Sequence, residues 1–251
     1  MPLALSAGAV HLWLCEVDRV KNPQSFCQLL SAGELQRCQR FPEQLRPEAI
    51  LTRALLRTSL SRYQQVDPVD WEFAAAELGK PHISSPASGL AFNLSHSAGW
   101  IVCAVSVDME LGVDLQFCDP DRNVERLARR YFNAVEAAII GQGSDRQLFY
   151  DLWTLKEART KAVGGAVAAG LGQYGFDLSR PGIIEADPFG ASHFLWDLTP
   201  SHRLALCVPG HSLAVTDVQI YQLQSSGNYQ AKELALRAAG GLGDPAMAGA
   251  R

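Results

Sequence analysis

The chain is poor in the features that would assign it quickly. Its six cysteines, at positions 15, 27, 38, 103, 118 and 207, form no C-x-x-C pair, and none stands beside a histidine at zinc-ligand spacing. That excludes a zinc-finger or thioredoxin-like reading. It leaves reduced thiols packed as small hydrophobes, the usage expected of a cytoplasmic protein. Charge is scarce too: charged residues make up 19% and the formal net charge is −4. This argues against a general nucleic-acid binder, while leaving room for a local anion site. No apolar run approaches the ~20 residues of a membrane helix. The opening MPLALSAGAVHLWLCEV lacks the basic n-region of a signal peptide, and its alternation through Val10, Leu12 and Leu14 reads as a first strand. Two further motifs are missing, the Gly-x-x-x-x-Gly-Lys-Ser/Thr phosphate loop and the Gly-x-Ser-x-Gly nucleophile elbow.

What is present is ample apolar material, 47% of 251 residues, enough for one large domain or two small ones. After the first strand, 23–30 and 34–40 read as short helices, and Leu51, Leu55, Leu56 and Leu60 give a helical period over 46–63. Gly79-Lys80-Pro81 interrupts the chain. Strands are expected at 91–94 and 100–107 around the turn Ser97-Ala98-Gly99, and again at 112–117. Asn133 with Glu136, and Ser144 with Gln147, have capping-box spacing; the second should open a helix running to about Val163, stopped by Gly164-Gly165. Strands follow at 194–198, 203–208 and 213–223. The order strand, helices, strands, then the same again, predicts an α+β fold of two similar halves, 1–108 and 109–225, with a partly disordered tail over 226–251.

Three segments carry chemistry: Phe92 to Ser97, Gly112 to Gln116, and Trp153 to Lys161. In the last, helical spacing of four puts Phe149, Trp153, Glu157 and Lys161 on one stripe, with Leu148, Leu152, Leu155, Ala158 and Ala162 opposite. A solvated face with an i,i+4 ion pair accounts for Glu157 and Lys161. It gives no reason for a large exposed Trp153 and Phe149. Asp114 alone suits a strand edge or a turn; paired with Glu157, from a strand and a helix, it suits a hard cation such as Mg²⁺ holding a diphosphate. His96, in a Ser-rich turn, is either an exposed capping residue or an anion contact. The residues alone reach as far as a metal and diphosphate site.

Together these segments resemble the Sfp-type 4'-phosphopantetheinyl transferases, whose signature is a Gly-Ile/Val-Asp segment followed by Trp/Phe-x-x-Lys-Glu-Ser/Ala-x-x-Lys. Here it reads Gly112-Val113-Asp114 and Trp153-Thr154-Leu155-Lys156-Glu157-Ala158-Arg159-Thr160-Lys161, of the Trp-Lys-Glu-Ala subgroup. Gly79-Lys80-Pro81, Phe92 to Ser97, Arg37 to Phe41 and Arg53 to Arg57 match four more segments in the family order, so the resemblance spans about residues 10 to 220.

The resemblance implies two pseudo-symmetric halves with coenzyme A in the cleft between them. It implies Asp114 and Glu157 as Mg²⁺ ligands and Lys161 on the coenzyme A diphosphate. It sets Arg37 and His96, with Ser95 beside it, near the 3'-phosphate, and Gly79, Lys80 and Pro81 around the adenine. Glu136 falls where the family often has another active-site acid. Two positions depart from the pattern. Gln116 stands where many members have a third metal-ligating glutamate, and Glu34 stands near where some members place a phosphate-binding lysine. The implied activity is transfer of phosphopantetheine from coenzyme A to a serine of apo acyl or peptidyl carrier proteins, by a cytoplasmic monomer without nucleic-acid or membrane partners. Fatty-acid, polyketide and nonribosomal-peptide carriers all remain open. Alternatives are a non-catalytic carrier-binding relative, which only Gln116 favours, and a metal-dependent nucleotide hydrolase. Arg122, Arg126, Arg129 and Arg130 are either a solvated helix face or a dock for an acidic carrier.

Overall fold

The computed structural model describes residues 2–76, 79–142, 146–165, 171–178, 182–184, 190–224 and 228–240. It is an α+β protein whose described residues fall into two compact units, Met1–Asp108 with Thr216–Glu233 and Met109–Val215 with Leu234–Arg251. No described helix is long and apolar enough to cross a membrane. All six cysteines are free; Cys27 and Cys118 are half-buried and the other four buried.

In the first unit, β1 (Val10–Glu16) is followed by two helices, α1 (Ala32–Gln39) and α2 (Arg46–Leu60). Next come a two-stranded ribbon of β2 (Glu72–Ala75) and β3 (Pro81–Ser85), then a hairpin of β4 (Leu90–Ser97) and β5 (Trp100–Val107). The ribbon turns through Gly79, whose φ of +82° glycine adopts without strain. Leu51, Leu55, Leu56 and Leu60 of α2 pack on Trp13, Phe92, Ile101 and Val105. Each such leucine contributes about 1.5–3 kcal/mol on burial. The helix starts at Arg46-Pro47, where proline's missing N–H costs nothing.

The second unit begins with β6 (Gly112–Phe117), then α3 (Val124–Tyr131), α4 (Ala134–Gln142) and α5 (Arg146–Ala162). Its remaining strands are β7 (Gly182–Ile183), β8 (Ala191–Thr199) and β9 (His202–Pro209). The chain then returns to the first unit as β10 (Val218–Leu223) and β11 (Tyr229–Ala231), and ends in the second as β12 (Ala235–Gly240). The first sheet runs β11-β10-β1-β5-β4 and the second β6-β9-β8-β12-β7. Beneath α5, Phe149, Leu152, Leu155, Ala158 and Ala162 join Leu195, Ala205 and Cys207 in one core.

Some expectations need correcting. Residues 23–29 form a 3₁₀ rather than an α-helix, a short segment with proline at its start and no side-chain cap. The expected half 109–225 loses its last strand, because β10 pairs parallel with β1 and closes the first sheet. The stretch assigned to a tail from 226 holds β11, paired with β10, and β12, paired antiparallel with β8. The pairings of β10 with β1 and of β12 with β8 join residues far apart in sequence, which periodicity does not register. Phe149 is fully buried, not exposed, and Trp153 is half-buried: Phe132 lies 5.3 Å from Phe149 and 6.1 Å from Trp153, ring centre to ring centre. The capping box expected at Ser144 lies outside the described residues. At the other, the Asn133 side chain accepts the Glu136 N–H at 2.9 Å.

Candidate active site

The site of the second unit follows from one glycine. A Cβ on Gly112 would lie 2.1 Å from the Ala158 carbonyl oxygen and 2.3 Å from the Ala162 nitrogen. Only glycine lets the last turns of α5 settle on β6. Residues two apart on a strand share a face, so Gly112, Asp114 and Gln116 all point toward that helix. Asp114 is thereby buried, and Lys161 donates from Nζ to its Oδ1 at 2.6 Å. Glu157, one helical turn before Lys161, meets the same aspartate. Burial, and then the Asp114 charge, push its carboxyl up to about 7, against the pull of Lys161 and the Trp153 indole N–H.

The arrangement brings a buried and a half-buried carboxylate together beside Lys161. Hard oxygen donors suit a divalent cation such as Mg²⁺, so the donor set fits that ion. Gln116 turns its amide nitrogen to the Phe117 carbonyl at 2.9 Å. Among the described residues no group of three or more His, Cys, Asp or Glu side chains gathers at metal-binding distance. The set is thus two acids, with an amide two residues along the strand.

Glu136 does not join this pair. It is buried, accepting the Phe176 N–H at 3.1 Å and pairing with Lys156 Nζ at 2.8 Å. Lys156 is wholly buried and also donates to the carbonyls of Leu171, at 3.0 Å, and Tyr174. Sequence reasoning passed over Lys156, since a lysine beside a glutamate on a helix looks like a solvated residue. Burial on a helix face between two acids' neighbours is a tertiary fact.

In the first unit a cavity of about 620 Å³ is lined by Ser31, Glu34, Arg37, Arg53, Arg57, Phe73, Ala75, Pro81 and Ser84, among others. It brings Arg37 and Pro81 together. Lys80, Ser95 and His96 are not among its lining residues. Ser95 is buried, and His96, half exposed, pairs through Nδ1 with Glu48 at 2.9 Å. Glu34 is buried and paired with Arg57 at 2.7 Å, so its charge is matched inside the protein. The sequence reading missed Arg53 as a wall residue, although it opens the Arg53 to Arg57 segment, and missed the Glu34–Arg57 pair.

A buried acid pair held by a strand glycine and a Trp-x-x-Lys-Glu helix, in an α+β frame, defines a class, and comparison places the chain in it. The 4'-phosphopantetheinyl transferase superfamily matches residues 110–215. The 4'-phosphopantetheinyl transferase HetI of a Nostoc species is 36% identical over 66% of this chain and 73% of its own length. A phosphopantetheinyl transferase of a Thraustochytrium species is 29% identical over 82% of this chain and 80% of its own. For the Bacillus subtilis 4'-phosphopantetheinyl transferase Sfp the figures are 28%, 73% and 84%. The chain belongs to the 4'-phosphopantetheinyl transferase superfamily.

Proposed function

We propose that this protein is a 4'-phosphopantetheinyl transferase that moves the phosphopantetheine group from coenzyme A to a serine of apo acyl or peptidyl carrier proteins, releasing 3',5'-ADP. The observation that carries this reading is the meeting of buried Asp114 with half-buried Glu157, with Lys161 2.6 Å from Asp114, beside the close contact at Gly112. Bound Mg²⁺ would be held by Asp114 and Glu157, with Gln116 nearby, and would neutralise the diphosphate. Glu157, with its carboxyl raised to about 7, is poised to take the proton of the attacking serine hydroxyl near neutral pH. Lys161 supplies positive charge where the diphosphate oxygens of the leaving 3',5'-ADP gain negative charge.

The cavity of the first unit is read as the place for the nucleotide end of coenzyme A. Arg37 and Arg53 supply cationic walls, and Pro81 belongs to the Gly79-Lys80-Pro81 segment. His96 and Ser95 would join only if the Glu48–His96 pair opened. Carriers are acidic helical domains. The exposed Arg126, Arg129 and Arg130 of α3, beside the exposed Val135 and Ile139 of α4, suit such a partner. Free cysteines throughout agree with a reducing cytoplasm, where we place the enzyme as a monomer.

The test is direct: purified protein, an apo carrier, coenzyme A and Mg²⁺, followed by intact mass. A carrier gaining the mass of phosphopantetheine on one serine supports the reading. Free phosphopantetheine with an unmodified carrier would point to hydrolysis instead.

A further inference from the structure

We propose that Glu34 and Arg57, both turned into the protein, are positioning residues that set the grip of the first-unit cavity on the 3'-phosphate of coenzyme A; this rests on the reading of that cavity given above. Glu34 Oε2 accepts from the Ser31 N–H at 3.0 Å and the Ser31 hydroxyl at 3.1 Å, closing the cap of α1. The same oxygen accepts from Arg57 Nε at 2.8 Å and pairs with Nη2 at 2.7 Å. One carboxylate therefore locks the start of α1 to the last turn of α2. Arg37, three residues after Glu34 and so on the same helix face, lines the cavity.

The other arm of Arg57 reaches the opposite wall. Its Nη1 donates to the carbonyls of Pro68 at 2.6 Å, Val69 at 3.2 Å and Trp71 at 2.9 Å. Its guanidinium sits 5.2 Å from the centre of the Phe73 ring. These contacts fix the backbone that leads into β2, which forms the cavity wall from Glu72 to Ala75. A planar fork with five donors can hold a carboxylate and three carbonyls at once; an ammonium cannot. Both side chains are almost wholly buried, at 2% and 3% exposure, so their charges cancel internally. The positive charge presented to a ligand comes from Arg37 and Arg53, and the buried pair decides where Arg37 stands.

The experiment keeps both charges. Arg57→Lys removes the fork, and Glu34→Asp shortens the reach, so neither alters the net charge of the cavity. KM for coenzyme A and for 3'-dephospho-coenzyme A, kcat, KM for the carrier, and calorimetric binding of 3',5'-ADP are measured. Each variant should raise the coenzyme A KM about tenfold, the scale of a misplaced charge-assisted contact, and shrink the preference for coenzyme A over its dephospho form. kcat should stay within about twofold and the carrier KM should hold. In an Arg37→Ala background either change should add less than about twofold, because the effect runs through Arg37. A lowered Tm with unchanged KM and unchanged preference would overturn the proposal, as would full additivity with Arg37→Ala. If Arg57→Lys does not fold, Glu34→Asp decides. Wild type that fails to bind 3',5'-ADP would refute the reading of the cavity instead.

Discussion

The two units solve the same packing problem and differ in how they treat buried charge. Each lays a helix on a five-stranded sheet. In the first, leucines of α2 make the contact, and the buried Glu34 and Arg57 match one for one. In the second, Gly112 brings the backbone of α5 onto β6, and Glu157 meets Asp114, which accepts from Lys161. Elsewhere in the second unit acids meet bases: Glu136 pairs with Lys156, and Asp151 with both Arg203 at 2.8 Å and Arg237 at 2.7 Å. A balanced buried pair fixes geometry, since breaking it strands a charge. Two carboxylates that meet repel, and we propose the chemistry there, at 114 and 157, while the pair at 34 and 57 holds two helices together.

The comparison breaks most visibly at the acids. Asp114→Ala and Glu157→Ala should each cut the rate of carrier modification by about 10²–10³-fold or more, the scale of removing a transition-state charge partner. Melting temperature without metal should stay level or rise for Glu157→Ala, because like-charge repulsion is relieved, and fall for Asp114→Ala, which also loses the ion pair with Lys161. A variant with most of its activity intact would take that residue out of the site.

Gly112→Ala probes the contact itself. The new methyl meets helix backbone at 2.1 Å, so strand and helix must part; overpacking of this kind costs about 1–3 kcal/mol. Tm should drop, and kcat should fall as Asp114 and Glu157 separate. Leu55→Ala, in the first unit, costs about 2–5 kcal/mol by leaving a cavity, yet should leave kcat at permissive temperature unchanged. A Gly112→Ala enzyme with wild-type kcat would show that the helix contact does not place the acids.

The smallest effect is in pH, where the units have opposite signs. Burial lowers His11 of the first unit from 6.5 to about 4. Its contribution is present above pH 6.5 and lost as pH falls toward 4. Glu157 is raised from 4.5 to about 7, so its contribution is present below pH 4.5 and lost as pH rises through 7. In metal-free protein, the Tm of wild type relative to Glu157→Gln should therefore decline between pH 5 and 8. Relative to His11→Gln it should decline from pH 6.5 downward. Parallel curves for wild type and Glu157→Gln would remove the coupling of the two acids.

The stripe of Glu157 and Lys161 was legible because it is local, one helical turn apart, as was Asp114 two residues after a glycine. The meeting of Asp114 with Glu157, 43 residues away (157 − 114), came from the family resemblance and not from local pattern. Gln116 was legible as a neighbour of Asp114, two along the strand. Trp153 and Phe149 were misread because the helical period gives a face and not its cover, and the cover, Phe132, comes from the link between α3 and α4. The partners of Glu34, Glu136 and His96 were hidden for the same reason: Arg57, Lys156 and Glu48 each lie at least 20 residues away. The α+β class followed from the order of elements, while the return of β10 to β1 needed a pairing that no window of sequence contains.

The most direct test is a calorimetric titration of Mg²⁺ into the metal-free protein at pH 8, without coenzyme A, for five chains. Wild type should bind one ion. Asp114→Asn and Glu157→Gln should lose that binding, Gln116→Glu should tighten it by added Coulomb attraction, and Glu34→Asp should match wild type. Equal binding by wild type, Asp114→Asn and Glu157→Gln would contradict the proposal that the two acids that meet in the second unit form the metal site.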